Sequence, residues 1–69
     1  MATVNDVEKA VFEILGDFVD PKQDVMIHEV RGNIRVIVTR TYGIPKDIIR
    51  DEWRESTKDL GFENVSLYL

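Results

Sequence analysis

Residues 24–42 read DVMIHEVRGNIRVIVTRTY. Two runs rich in β-branched residues flank Arg31-Gly32-Asn33, and Gly-Asn between such runs signals a tight hairpin in which glycine supplies the positive φ. A two-residue Gly32-Asn33 loop puts Val25, Ile27, Ile34, Val36 and Val38 on one face of the hairpin. Met26, His28, Val30, Ile37 and Thr39 fall on the other. The first face is the better core, and the second is still half apolar.

What covers the first face has to come from the segments on either side. Upstream, Thr3 and Asp6 have the spacing of a capping box, with Asp in the place usually taken by Glu or Gln. The run that follows has helical period: Val4, Val7, Val11, Ile14 and Phe18 share a face, widened by Phe12, Leu15 and Val19. Asp6 and Glu8 lie in the first turn, where the helix dipole favours them. The spacing predicts a helix over 4–19, loosened late by Gly16 and stopped by DPKQD at 20–24.

Downstream, Gly43-Ile44-Pro45 opens a second helix, since proline in a first turn lacks only an N–H that would be unpaired there. Gly61 closes it from just past its end. ENVSLYL, residues 63–69, then alternates, with Val65, Leu67 and Leu69 on one face and Asn64, Ser66 and Tyr68 on the other. It reads as a third strand held in the sheet to its last residue. The order is αββαβ, with no repeat, low-complexity tract or linker, so residues 1–69 are expected to form a single domain. The expected class is α+β: a two-layer sandwich with both helices on one face of a three-stranded mixed sheet.

A chain of 69 residues buries only about 60% of its unfolded surface, so its core is marginal and self-association would help it. Cysteine is absent, which excludes a disulfide framework and a thiolate metal site. No apolar run approaches the ~20 residues that span a bilayer. The N-terminus lacks a basic segment followed by an apolar block, so no signal peptide is read, and a cytoplasmic protein is the expectation. The net charge of −4 is uneven. Residues 1–30 carry two basic against seven acidic side chains, whereas residues 31–69 carry seven basic against six acidic. General affinity for nucleic acid is therefore not expected.

The second helix carries KDIIRDEWRESTKD, residues 46–59. Lys46, Arg50, Arg54 and Lys58 recur every fourth residue, as do Asp47, Asp51, Glu55 and Asp59. Ile49, Trp53, Ser56 and Leu60 form the seam expected to face the sheet. Acid-to-base pairs then fall at i,i+3, each giving roughly 0.2–0.5 kcal/mol to an isolated helix. That favours a solvated, internally paired face. The competing reading makes Lys46, Arg50, Arg54 and Lys58 a contact for an anion or an acidic partner, which would be modest and salt-dependent. Ile48, among the acids, is expected to tuck against the loop before the helix.

Chemistry is sparse. His28 is the only histidine, without a partner for a triad or a metal site. No phosphate loop, HExxH, EF-hand loop or nucleophile elbow is present. A domain of this size is expected to lack volume for a ligand pocket of several hundred Å³. No catalytic set and no cofactor are expected. The second hairpin face is more informative, because a two-layer fold leaves Met26, Val30 and Ile37 uncovered together with Tyr68, rimmed by His28 and Arg35. Such an apolar patch commonly marks an interface, although scattered surface apolar residues are also ordinary.

The stretch VEKAVFEILGDFVDPKQDVMIHEVRGNIRVIVT, Val7 to Thr39, resembles the first half of NifU C-terminal-like domains: a VE-led amphipathic helix, a D-V-x-hydrophobic strand, a hairpin and a second strand. The αββαβ order is also similar to the wider group that holds type II KH domains. The resemblance covers about half the chain and implies topology. NifU-type domains hold an iron–sulfur cluster with a CxxC before the second helix, where this chain has Tyr42-Gly43-Ile44-Pro45. The KH signature GxxG is replaced by Gly43-Ile44-Pro45-Lys46. Neither cluster binding nor KH-type RNA binding is implied for this chain, and topology alone does not imply function.

The sequence thus points to a small non-catalytic protein-interaction module: an adaptor, a regulatory subunit or an inhibitor of a larger protein, in the manner of small phage- or plasmid-encoded proteins. The contact residues expected are Met26, His28, Val30, Arg35, Ile37 and Tyr68, meeting either a protein partner or a second copy in a homodimer. The alternatives are a nucleic-acid module using Arg31, Arg35, Arg50, Arg54 and Lys58, or an acidic nucleic-acid mimic built on Glu13, Asp17 and Asp20.

Overall fold

The structure is a computed structural model that describes residues 1–69. Its elements are α1 (Val4–Ile14), a 3-10 turn (Leu15–Asp17), β1 (Val25–Val30), β2 (Asn33–Val38), α2 (Lys46–Thr57) and β3 (Val65–Tyr68). The sheet order is β1-β2-β3. β1 and β2 pair antiparallel, and β2 and β3 pair parallel. This is the α+β sandwich read from the sequence, with both helices on one side of a three-stranded mixed sheet.

α1 starts where the capping box places it. The Asp6 N–H donates to Thr3 Oγ1 at 3.3 Å, and the Thr3 N–H donates to Asp6 Oδ2 at 2.9 Å. Those bonds hold the Asp6 carboxyl below its usual range, because Thr3 donates to the ionised form. The α-helix ends at Ile14, five residues short of the expected Val19, and tightens into the 3-10 turn. Gly16 carries the entropic cost that makes a last turn give way. Leu15 O then accepts both the Phe18 and Val19 N–H groups at 2.9 Å, which closes the segment. The buried stripe runs through Val7, Val11 and Leu15, so Phe12, counted with the apolar face, stands 53% exposed.

The hairpin loop is Arg31-Gly32, not Gly32-Asn33. Val30 pairs with Asn33, and Arg31 and Gly32 both take positive φ, 53° and 83°. Two positive φ values define the primed turn whose twist matches the strands. Moving the loop by one residue slips the register by two, so the faces are unchanged. Ile34 and Val36 are fully buried, Val38 nearly so, and Val25 and Ile27 are half-buried.

Pro45 is the N-cap of α2 rather than a first-turn residue. The helix ends at Thr57, and Gly61 (φ 71°) lies at the far side of the turn that follows. The seam is Ile49, Trp53 and Thr57, a strict i,i+4 row. The expected Ser56 and Leu60 are solvent-facing, because residues 58–61 leave the helix before Leu60 can turn inward. Thr57 is buried at no polar cost, since its hydroxyl donates to Trp53 O at 2.7 Å. Ile48 stands exposed instead of tucked. Trp53 packs its ring 6.1 Å from that of Phe62.

Ala2 joins the core through an unexpected clamp. Asn64 Oδ1 accepts the Ala2 N–H at 2.9 Å, and Asn64 Nδ2 donates to Ala2 O at 3.0 Å and Gly32 O at 2.8 Å. Asn64, placed on the open face by alternation, is therefore buried. It precedes β3 and turns inward to join the N-terminal segment, the hairpin turn and the last strand.

Candidate interaction surface

The sheet face away from the helices carries the even-numbered residues of β1 and β3 and the odd-numbered residues of β2. Register assembles them into rows. Met26 lies opposite Ile37, and Ile37 opposite Tyr68, so these three form one continuous cross-strand row. His28, Arg35 and Ser66 form the next row, and Val30 with Asn33 ends the face. All six residues expected at a contact surface are brought together. Met26, Val30 and Tyr68 are each about half exposed, and His28 and Arg35 are exposed. Ile37 is half-buried between its row neighbours. Alternation places Ser66 on this face, outside the expected contact set, and Asn33 joins it because the loop is Arg31-Gly32 rather than Gly32-Asn33.

The charge of this face differs from that of the chain. The protein has 13 acidic side chains, yet none lies on these rows, whose one fixed charge is Arg35. The rows combine an apolar centre with a guanidinium whose fork suits a carboxylate.

The basic row of α2 is placed differently. Arg50 pairs with Asp47 at 3.3 Å, Arg54 with Asp51 at 3.8 Å, and Lys58 with Glu55 at 3.4 Å, all at i,i+3 and all exposed. Exposed pairs of this kind contribute about 0–1 kcal/mol each, and they neutralise the row locally. Lys46 makes no ion pair, while Arg50 and Arg54 border a groove with Trp53, Phe62, Val65 and Leu67 beside the free edge of β3. The structure does not join these residues to the open face. Glu13, Asp17 and Asp20 are exposed along the end of α1 and the loop that follows.

A buried carboxylate that the sequence reading passed over organises the other end of the sheet. Asp24 is 5% exposed. Its Oδ2 accepts the Asp20 N–H at 3.0 Å and the Tyr42 hydroxyl at 2.5 Å, and its carbonyl accepts from Thr39 N and Oγ1. Asp24 thereby ties the loop before β1 to the loop before α2. The bond to Asp24 pushes the Tyr42 phenol above its usual 10.0, while Arg40, 5.0 Å from the ring centroid, acts in the opposite direction. Tyr42 has φ 54°, so the bond holds a residue in the left-handed region.

The volume expected to be absent is present, as open troughs rather than an enclosed pocket. One lies between the helices, over Ala10, Ile14, Leu60 and Phe62. A second, of about 550 Å³, runs between α1 and the outer edge of β1. No three His, Asp or Glu side chains converge as metal ligands would, and no helix is long and apolar enough to cross a membrane.

No family model, curated protein or solved structure matches the chain.

Proposed function

We propose that the chain is a non-catalytic protein-interaction module that meets its partner through the open sheet face. The observation that supports this reading is the register-built row Met26–Ile37–Tyr68, flanked by His28 and Arg35 on a face with no acidic side chain. A contiguous apolar patch on a small protein is the ordinary mark of an interface, and aromatic, Met and Arg side chains are the types enriched there. The partner surface this suits is apolar, with a carboxylate placed to meet Arg35. The pairs along α2 speak against a phosphate rail, because each arginine and Lys58 already has an acidic neighbour.

The test uses tagged wild-type protein and Ile37→Asp in parallel pull-downs from host lysate, each with and without nuclease. The expected result is a protein captured by the wild type in both conditions and lost with Ile37→Asp, whose circular dichroism remains native. Equal capture by the two proteins would overturn the surface. Capture that disappears with nuclease would move the function to the basic residues.

A further inference from the structure

The outer edge of β1 is unpaired. The Thr39 N–H donates to Asp24 O at 2.7 Å, which marks Asp24 and Thr39 as a bonded pair. Alternation along an antiparallel ladder then makes Met26–Ile37, His28–Arg35 and Val30–Asn33 the bonded pairs. The N–H and C=O groups of Val25, Ile27 and Glu29 therefore point away from β2, and no hydrogen bond outside the ladder reaches them. Such an edge is a template for another strand. Beside it, on the helical side, lies the trough lined by Val25, Ile27, Lys22, Glu8 and the exposed Phe12.

From the edge and the trough together, we infer that β1 pairs antiparallel with β1 of a second copy, about a two-fold axis at Ile27. One register engages all three outward residues of both strands: Ile27 opposite Ile27 of the second copy, and Val25 opposite its Glu29. A shift of two residues in either direction leaves one of the three without an outward partner. The pairing is between odd-numbered residues on both sides, so the two helical layers lie on the same side of one six-stranded sheet.

One charge pair, Glu29 with Lys22, is self-complementary in this register, and Glu8 is the acidic side chain on the same trough. Glu29 of one copy enters the trough at Val25, whose other lining includes Lys22, and neither Glu29 nor Lys22 has an ion-pair partner within its own chain. The two-fold axis makes that contact twice. Phe12 of each copy then lies beside the central isoleucine pair, which gives a half-exposed aromatic an apolar neighbour. The open faces of the two copies merge into one surface that carries the Met26–Ile37–Tyr68 row twice.

The experiment is sedimentation equilibrium over a concentration series on the wild type, Glu29→Lys, Lys22→Glu and the double swap, with amide exchange on the wild type. The expected mass is twice the chain mass of 8.0 kDa. Each single reversal should raise the dimer dissociation constant about tenfold through two lost and reversed pairs, and the double swap should restore it. The amides of Val25, Ile27 and Glu29 should gain protection in step with dimer formation. A single-chain mass at about 1 mM, or a dimer indifferent to both reversals, would overturn the inference. Ile37→Asp leaves this dimer intact, so its failure and that of the open-face reading are separately visible.

Discussion

The three side-chain hydrogen bonds that span the greatest sequence separation all belong to Asn64. Its amide uses both donors and its oxygen while 7% exposed, so truncation leaves buried backbone groups unmet rather than merely removing contacts. Asn64→Ala should lower stability by about 2–3 kcal/mol, read as an earlier urea midpoint with an unchanged slope. An unaltered midpoint would show that the clamp contributes nothing. Alternation along ENVSLYL could not disclose this role. Period-2 reasoning assigns a face only to residues already in the strand, and Asn64 stands one residue before it. Asp24 was hidden in the same way: DPKQD reads as a helix stop, and the hydroxyl that satisfies its carboxylate arrives from Tyr42, 18 residues later.

At the scale of elements, the strong periodic signals carried through and the boundaries moved. The hairpin and its two faces were legible because β-branched alternation fixes parity. The loop itself was not, since Arg31-Gly32 and Gly32-Asn33 give the same faces and only the former puts Arg31 in the left-handed region. Asn is far better tolerated there than a long side chain, and Asn-Gly is the preferred pair for this turn. Arg31→Asn should therefore raise stability by about 0.5–1 kcal/mol, seen as a higher thermal midpoint. A lower midpoint would mean the Arg31 side chain contributes more than its backbone costs. The α2 seam was misread for a related reason. Ser56 and Leu60 satisfy a heptad-like spacing, but a straight helix on a sheet uses i,i+4, and it ends before Leu60.

For the molecule as a whole, the two layers are pinned at opposite ends, by Asn64 at one and by Asp24 with Tyr42 at the other. The Tyr42 hydroxyl gives the second pin a pH dependence. The folded state holds the phenolic proton more tightly than the unfolded chain, so its pKa is raised above 10.0. The stability this confers is complete below the unfolded value and is lost as pH rises through the folded one. Unfolding midpoints should fall above about pH 10, and Tyr42→Phe should be less stable at neutral pH with a flatter alkaline limb. Absorbance titration of Tyr68→Phe isolates the Tyr42 transition. A transition at or below 10.0 in the folded protein would show that the bond to Asp24 does not favour the protonated phenol.

The Asn64 clamp also bears on the order of events in folding. The β1–β2 hairpin closes over two residues, whereas the clamp must gather positions 2, 32 and 64 and closes the longest loops in the chain. Closing a long loop costs chain entropy before any bond compensates it. On that ground the hairpin is expected to form early and the clamp late, so that Asn64 should show a φ-value near zero. An interaction made that late leaves the refolding rate nearly untouched and governs how fast the native state opens. Asn64 is a latch on the closed molecule: Asn64→Ala should speed unfolding and leave the refolding rate nearly unchanged, as stopped-flow measurement of both rates would check.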